Sequence, residues 1–302
     1  MLIWFLLALG SALTNSWVQT MSKWAVNLTH YSKITIAFII TGTSGIALLL
    51  LSYFVFGFPE IDDRFLGAVT VTAVLNLIAF PIMLRAYEIG EFSSVYSMIL
   101  LTPVFLLVTS FLFLGETPSL MGTAGVIFTI IGLWIVTRGN HRHGQVPGFA
   151  KGNWLGILAA LLWSVSVNFD KLSTLYSDRF LAPAAASILM AIGYFIYLLV
   201  RHRSLLVTKK ERDDEEVDLK PMVLKIPKAL FLVLAGLFLG LSSVLHNSAL
   251  LAGLASYTIA VKRTGVLFGV FWGWLFFKEK NLGGKLLGAV IAIAGVVLIL
   301  FG

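Results

Sequence analysis

The chain contains no cysteine in its 302 residues. Disulfides, thiolate nucleophiles and cysteine metal sites are therefore excluded, and nothing reports the redox compartment. Charge is nearly as scarce, at 12% of residues, with Asp and Glu numbering 15. No HExxH pattern occurs, and no second acid lies within an apolar run opposite Asp170. An enzyme working inside a membrane needs convergent nucleophiles, paired acids or metal ligands, so catalysis, a metal and a cofactor lack the residues to support them. The net charge of +7 does not point to nucleic acid, because the basic residues sit in short segments between apolar runs. Membrane orientation is their expected role.

What the chain has in abundance is apolar surface. Hydrophobic residues make up 58% of it and the mean hydropathy is +0.93, far more than one soluble core can hide. The lipid bilayer is the expected partner. A span needs about 20 apolar residues, and ten candidates fit: Leu2 to Met21, Ile34 to Phe56, Phe65 to Tyr87, Phe92 to Leu114, Leu120 to Thr137, Trp154 to Leu172, Leu181 to Val200, Ala229 to Leu251, Ala255 to Phe277 and Leu282 to Phe301. Their length and lack of alternation predict helices rather than barrel strands. The opening run lacks a basic n-region and is followed by further spans, so it is expected to be a retained helix rather than a signal peptide. Two connections are long, a linker at 138–153 and a charged loop at 201–228. Neither has room for a catalytic domain, and a scaffold or receptor would find little outside the bilayer with which to bind.

The chain also repeats. Sliding "FLFLGETPSLMGTAGVIFTIIGLWIV" from Phe111 onto "WLFFKEKNLGGKLLGAVIAIAGVVLIL" from Trp274 by 163 positions superposes Glu116 on Glu279, Gly125 on Gly288 and Gly132 on Gly295. Upstream the same slide pairs Gly90 with Gly253 and Ser93 with Ser256. A shared acid with glycines at fixed distances is harder to obtain by chance than apolar similarity. Duplication divides the chain into 1–137 and 154–302, five spans each. Because five is odd, the second half enters the membrane in the opposite sense, which predicts a 5+5 inverted repeat around a central cavity.

The five-plus-five pattern, the "LGE" and "FKE" turns before the last helix of each half and the glycines that follow resemble the EamA type of the drug/metabolite transporter superfamily. The resemblance covers nearly the whole chain. It implies an all-α, ten-helix carrier in the plasma membrane, such as a bacterial inner membrane, that exports or exchanges amino acids or other small metabolites by alternating access. Lys and Arg collect on the odd-numbered connections, with Lys23, Lys33, Arg85 and Arg138 on one side against Arg64, Lys171 and Arg179 on the other. The positive-inside rule then places both termini outside the cytoplasm, whereas the family habit is both inside.

Polar residues within spans are the informative ones. Ser11, Asn15, Gln19 and Ser22 share one face of the first helix, as a cavity lining or a polar helix contact. Their counterparts 148 positions on are Ala159, Trp163, Val167 and Asp170. Lys171 matches Lys23, and both are expected either to reach for the interface or to serve the site. Glu88 and Glu91 follow the third helix, while Glu116 and Glu279 start the last helix of each half, where an acid suits the positive helix end. Asn76, Arg85, Tyr87, Tyr96 and Ser97 are weaker candidates. Pro81 and Pro103 lie inside spans and can bend them.

Lys262 and Arg263 are the strongest anomaly, since a buried cation costs roughly 2.5–3.5 kcal/mol on insertion scales. Lys262 is about 10 Å into its helix, and Arg263 is rotated from it by about 100°, so one is expected to meet a neighbouring helix and the other the cavity. Three readings stand. Carbonyls and Asp170 hold the pair; or one cation receives a substrate carboxylate, with Tyr257, Trp163, Asn15, Gln19 and Asn247 completing the pocket; or Asp170 and His246 couple transport to protonation. Gly265, Gly269 and Gly273 form a close-packing face that serves internal contacts or a homo-oligomer equally.

Overall fold

A computed structural model describes residues 2–28, 31–57, 59–90, 95–96, 98–138, 151–200, 228–277 and 285–301. Glu91, Ser97, Glu279, the linker from 139 to 150 and the charged loop from 201 to 227 lie outside the described residues. Among those described, the chain is helical throughout apart from short connections, as hydrocarbon demands of a backbone that must satisfy its own N–H and C=O groups. The helices are α1 (Leu2–Leu28), α2 (Lys33–Leu51), α3 (Phe65–Ile89), α4 (Thr102–Leu114), α5 (Leu120–Arg138), α6 (Lys151–Leu175), α7 (Leu181–Val200), α8 (Lys228–Ala252), α9 (Ala255–Arg263), α10 (Gly265–Phe277) and α11 (Lys285–Phe301). Among the described residues six helices are long and apolar enough to cross a membrane: Leu2–Val26, Lys33–Val55, Phe65–Ile89, Lys151–Leu175, Leu181–Val200 and Ala229–Ala252. Shorter apolar helices accompany them at Ile99–Leu114, Leu120–Ile135 and Val290–Phe301.

Local chemistry sets the helix ends. Ser32 caps α2 by accepting from Thr35 N at 3.1 Å, and Asp178 accepts from Phe180 N and Leu181 N at the start of α7. Gly115 ends α4 in the left-handed region at φ 66°, where a side chain is disfavoured. Near the start of α3, the carboxylate of Asp62 accepts hydrogen bonds from Arg64, which hold its pKa down to about 2. Arg64 in turn lies 4.5 Å over the Tyr176 ring, joining this connection to the one that follows α6.

The expected fourth and ninth spans are both discontinuous. The ninth is α9 and α10, separated at Thr264; the fourth passes through a 3-10 turn at Ile99–Leu101 before α4 begins. Thr264 and Leu101 are 163 positions apart, the slide that relates the two halves. Pro103 therefore sits in the first turn of α4, where its missing N–H has no helical partner to lose, rather than inside a helix as expected. Pro81 does lie inside α3.

The halves interleave: α1 packs along α8, α3 along α6, α2 along α7 and α8, and α5 along α11. The internal repeat equates α1 with α6 and α3 with α8, so the first two contacts are equivalents. The α5–α11 seam explains the repeated glycines. A Cβ at Gly125 would lie 2.7 Å from Gly295 O and 2.8 Å from Ile299 N, while one at Gly132 would strike Ala292 N and Gly288 O. These are backbone atoms and have nowhere to move. Gly132→Ala is therefore expected to lose about 1–3 kcal/mol of stability, read as a lower melting temperature of the purified protein at wild-type expression.

Candidate functional site

Side chains from α1, α2, α3, α6, α7, α8 and α9 enclose a cavity of about 1050 Å³, its opening to solvent included. Asn15 and Gln19 come from α1, Thr72 and Asn76 from α3, Trp163, Ser166 and Asp170 from α6, Ser187 from α7, His246 and Asn247 from α8, and Lys262 and Arg263 from α9. Eight of the nine residues expected at the site, all but Tyr257, thus share a wall with polar residues from α3 and α7 that the sequence marked weakly or not at all. Ser166 belongs to that group; it accepts from Asn76 Nδ2 at 2.6 Å, and a lone serine in an apolar run carries no signal of its own.

The polar stripe of α1 divides. Ser11 donates to Ser242 O at 3.3 Å and is a contact with α8, whereas Asn15 and Gln19 reach the cavity. Gln19 accepts from the buried hydroxyl of Tyr87 at 2.7 Å, and the Asn15 side chain is hydrogen-bonded to Tyr96. Two tyrosines behind the wall therefore fix the amides that face the cavity. Asn247 is held likewise, accepting from Thr174 Oγ1 at 2.8 Å and donating to Ser243 O at 2.9 Å.

The break after Arg263 answers why a pair of cations is tolerated at this depth. Lys262 and Arg263 form the last turn of α9, and the carbonyl end of a helix favours positive charge. Arg263 is 7% exposed and its Nη2 donates to Thr102 Oγ1 at 3.0 Å, so it contacts the start of α4 while bordering the cavity. Lys262 has no hydrogen-bond or ion-pair partner among the described residues. Asp170 does not hold the pair as one reading expected: it lies in the same cavity and interacts with Lys262 only through space. His246 lies beside it, with Nε2 3.8 Å from Oδ2, and the buried His246 Nδ1 has no hydrogen-bond partner among the described residues.

Tyr257 departs from expectation. It lies outside the cavity lining, packed with Trp4, Ala8 and Val126, and its hydroxyl accepts from Ser119 N at 3.0 Å. Being in the first turn of a short helix, it faces the α4–α5 connection instead of the cavity. Tyr257→Phe is expected to leave ligand affinity within about twofold while removing one hydrogen bond, a loss of about 0.5–1.5 kcal/mol in stability; a binding isotherm and a melting curve of the same preparation check both halves.

Lys23 and Lys171 also turn inward. Lys23 Nζ donates to Tyr87 O at 2.6 Å and Gly90 O at 3.2 Å. Lys171 Nζ donates to Gly253 O at 2.7 Å and to Glu116 Oε1 at 2.6 Å. The carbonyls freed at the ends of α3 and α8 draw the ammonium groups in. Glu88, at the same C-terminal end of α3, is paired with Lys33 at 2.8 Å and with Arg85 and lies outside the cavity lining.

The EamA-like transporter family model matches residues 2–138 and again residues 150–301. The chain belongs to that family. It is accordingly a multi-pass membrane transporter of the drug/metabolite transporter superfamily, in contact with the lipid bilayer. A protein of known crystal structure is similar to this EamA-family chain with a TM-score of 0.69, covering 98% of this chain and 95% of its own at 13% sequence identity. At that identity the likeness bears on the fold alone. No curated protein gives a significant sequence match.

Proposed function

We propose that the chain is a secondary transporter, an exporter or exchanger of the plasma membrane, whose two halves, 1–137 and 154–302, form a 5+5 inverted repeat around one alternately exposed site. Its ligands are amino acids. The observation that carries this reading is the unpaired charge in the cavity: an ammonium at Lys262 and a carboxylate at Asp170 border one space without forming an ion pair. Opposite charges left apart in a low-dielectric site are offset best by a ligand carrying the complementary pair. Lys262 takes the ligand carboxylate, Asp170 takes its ammonium, and the amides of Asn15, Gln19 and Asn247 supply neutral polar contacts.

The seams between helices support alternating exposure. Where they line the cavity, α3 and α7 present small and polar residues such as Thr72, Ala186 and Ser187, while Phe65 and Val69 pack on Leu181 and Ala182 near the helix starts. The equivalent seam, between α8 and α2, is shut by Ile36, Ile40, Leu232 and Ala235, with Phe38 and Phe231 against them. An inverted repeat lets the two seams exchange these roles.

A second reading rests on the excess of cations. Lys262 and Arg263 outnumber Asp170 among the charged residues of the lining, which favours small anionic metabolites or acidic amino acids. Coupling through the Asp170–His246 pair is part of both readings, because a proton there competes with a ligand ammonium. Uptake of a pool of radiolabelled amino acids into proteoliposomes, with and without an imposed pH gradient, tests the proposal. Accumulation or counterflow is expected for a subset of the pool; no flux under either condition, with external organic anions moving instead, replaces the first reading by the second.

A further inference from the structure

The helix that carries the cation pair has its other end held from outside the repeat to which it belongs. At the start of α9, Leu254 is extended and offers no capping side chain, so the first N–H groups of the helix need a partner from elsewhere. Glu116 supplies it. From the connection between α4 and α5, with 8% exposure, its Oε2 accepts from Ala255 N at 2.8 Å. Its Oε1 accepts from Lys171 Nζ at 2.6 Å, and Lys171 also holds Gly253 O. The sequence had placed this acid at the start of its own helix. The structure puts it at the positive end of another.

The position of Lys171 gives the arrangement its consequence. Lys171 follows Asp170 in α6, and Ala255 opens the helix that ends in Lys262 and Arg263. One buried carboxylate therefore ties the helix bearing the cavity's acid to the helix bearing its cations. The same connection grips α9 a second time, where Ser119 N donates to the Tyr257 hydroxyl at 3.0 Å. Lys262 lies seven positions beyond Ala255, a rigid lever of roughly 10 Å at about 1.5 Å per residue. A carboxylate removed from water with two charge-assisted hydrogen bonds keeps its place strongly, since either partner left alone would be an uncompensated buried charge.

We propose that Glu116 is a positioning residue which sets the spacing across the cavity between the Asp170 carboxylate and the Lys262 ammonium. The inference rests on the reading of that cavity as the amino-acid site. Glu116 touches no ligand and does not line the cavity. Its effect reaches only ligands that bridge the two charges; a ligand held at Lys262 alone does not sense the spacing.

That asymmetry provides the test. Full-length wild type, Glu116→Gln, Glu116→Asp and Lys171→Gln are reconstituted in proteoliposomes, and inhibition of uptake by the transported amino acid is compared with inhibition by its deaminated acid. In Glu116→Gln and Lys171→Gln the preference for the amino acid over the acid is expected to shrink by about 10-fold, with inhibition by the acid unchanged. Glu116→Asp, which keeps the charge, restores part of the preference. A residue serving stability alone would lower the melting temperature and weaken both inhibitors equally, and that outcome overturns the inference. Should Glu116→Gln fail to insert, Lys171→Gln carries the comparison from the other side of the same ion pair. If wild type itself shows no preference for the amino acid, the reading of the cavity fails first, a result separable from an unchanged preference in the variants.

Discussion

Lys262→Gln lowers amino-acid uptake at subsaturating concentration by about 10- to 100-fold and leaves the protein at least as stable as wild type. The loss follows from exchanging a charge-assisted hydrogen bond to the ligand carboxylate for a neutral one, a difference of about 1.5–3 kcal/mol, at 1.4 kcal/mol for each factor of ten. The stability follows from the absence of any hydrogen-bond or ion-pair partner for Lys262 among the described residues. A cation kept at this depth only to brace the fold would leave an orphaned partner when removed, and none is present. Initial rates in proteoliposomes and a melting curve from one preparation check both parts. Arg263→Gln serves as the contrast, because it gives up the bond to Thr102 and is expected to melt earlier. Transport at the wild-type rate in correctly inserted Lys262→Gln would remove its binding role.

Asp170→Asn produces a different loss. The amide keeps the shape of the carboxylate and can still accept a hydrogen bond from an ammonium, but the charge that distinguishes an amino acid from its deaminated acid is gone. Affinity for the amino acid is expected to fall about 10-fold or more, with affinity for the deaminated acid equal or higher, since a negative charge has left a cavity bordered by Lys262 and Arg263. The dependence on an imposed pH gradient is expected to weaken in the same variant, because the carboxylate beside His246 has become neutral. Competition assays at two pH values, using the amino acid and its acid, check the pair of effects. Equal weakening of both ligands would assign Asp170 to the scaffold.

The parts of this molecule that could be read from its sequence are those in which one residue type has one physical explanation. The pairs Gly125/Gly288 and Gly132/Gly295 announced a repeat, and the structure shows why glycine is needed: Gly125 lies against Gly295, and Gly132 against Gly288 and Ala292, along a seam too close for a side chain. Lys262, Arg263 and Asp170 stood out because hydrocarbon penalises charge, and all three border the cavity. What escaped reading depended on contacts made in three dimensions. Tyr257 is close in sequence to the cation pair, yet the short helix that bears it turns its side chain to Ser119. Lys171 had the profile of a lysine reaching for the interface until the end of α8 placed the Gly253 carbonyl within its range. Glu116 had the sequence position of an ordinary first-turn acid, and nothing local indicates that its helix end is 139 residues away at Ala255. The break at Thr264 was equally silent, for the run from Ala255 to Phe277 has neither proline nor a cluster of turn residues to mark it.

The most direct measurement is a thermal-shift screen of the purified wild-type protein with matched triplets: an amino acid, its deaminated acid and its decarboxylated amine. A ligand that binds only the folded state raises the melting temperature, and does so more the further its concentration exceeds its Kd. Two unpaired opposite charges across one cavity predict that some amino acids shift the melt while neither partner in their triplets does so at equal concentration. A shift of equal size from the acids alone, or none from any amino acid, would show that Asp170 and Lys262 do not act together on a ligand.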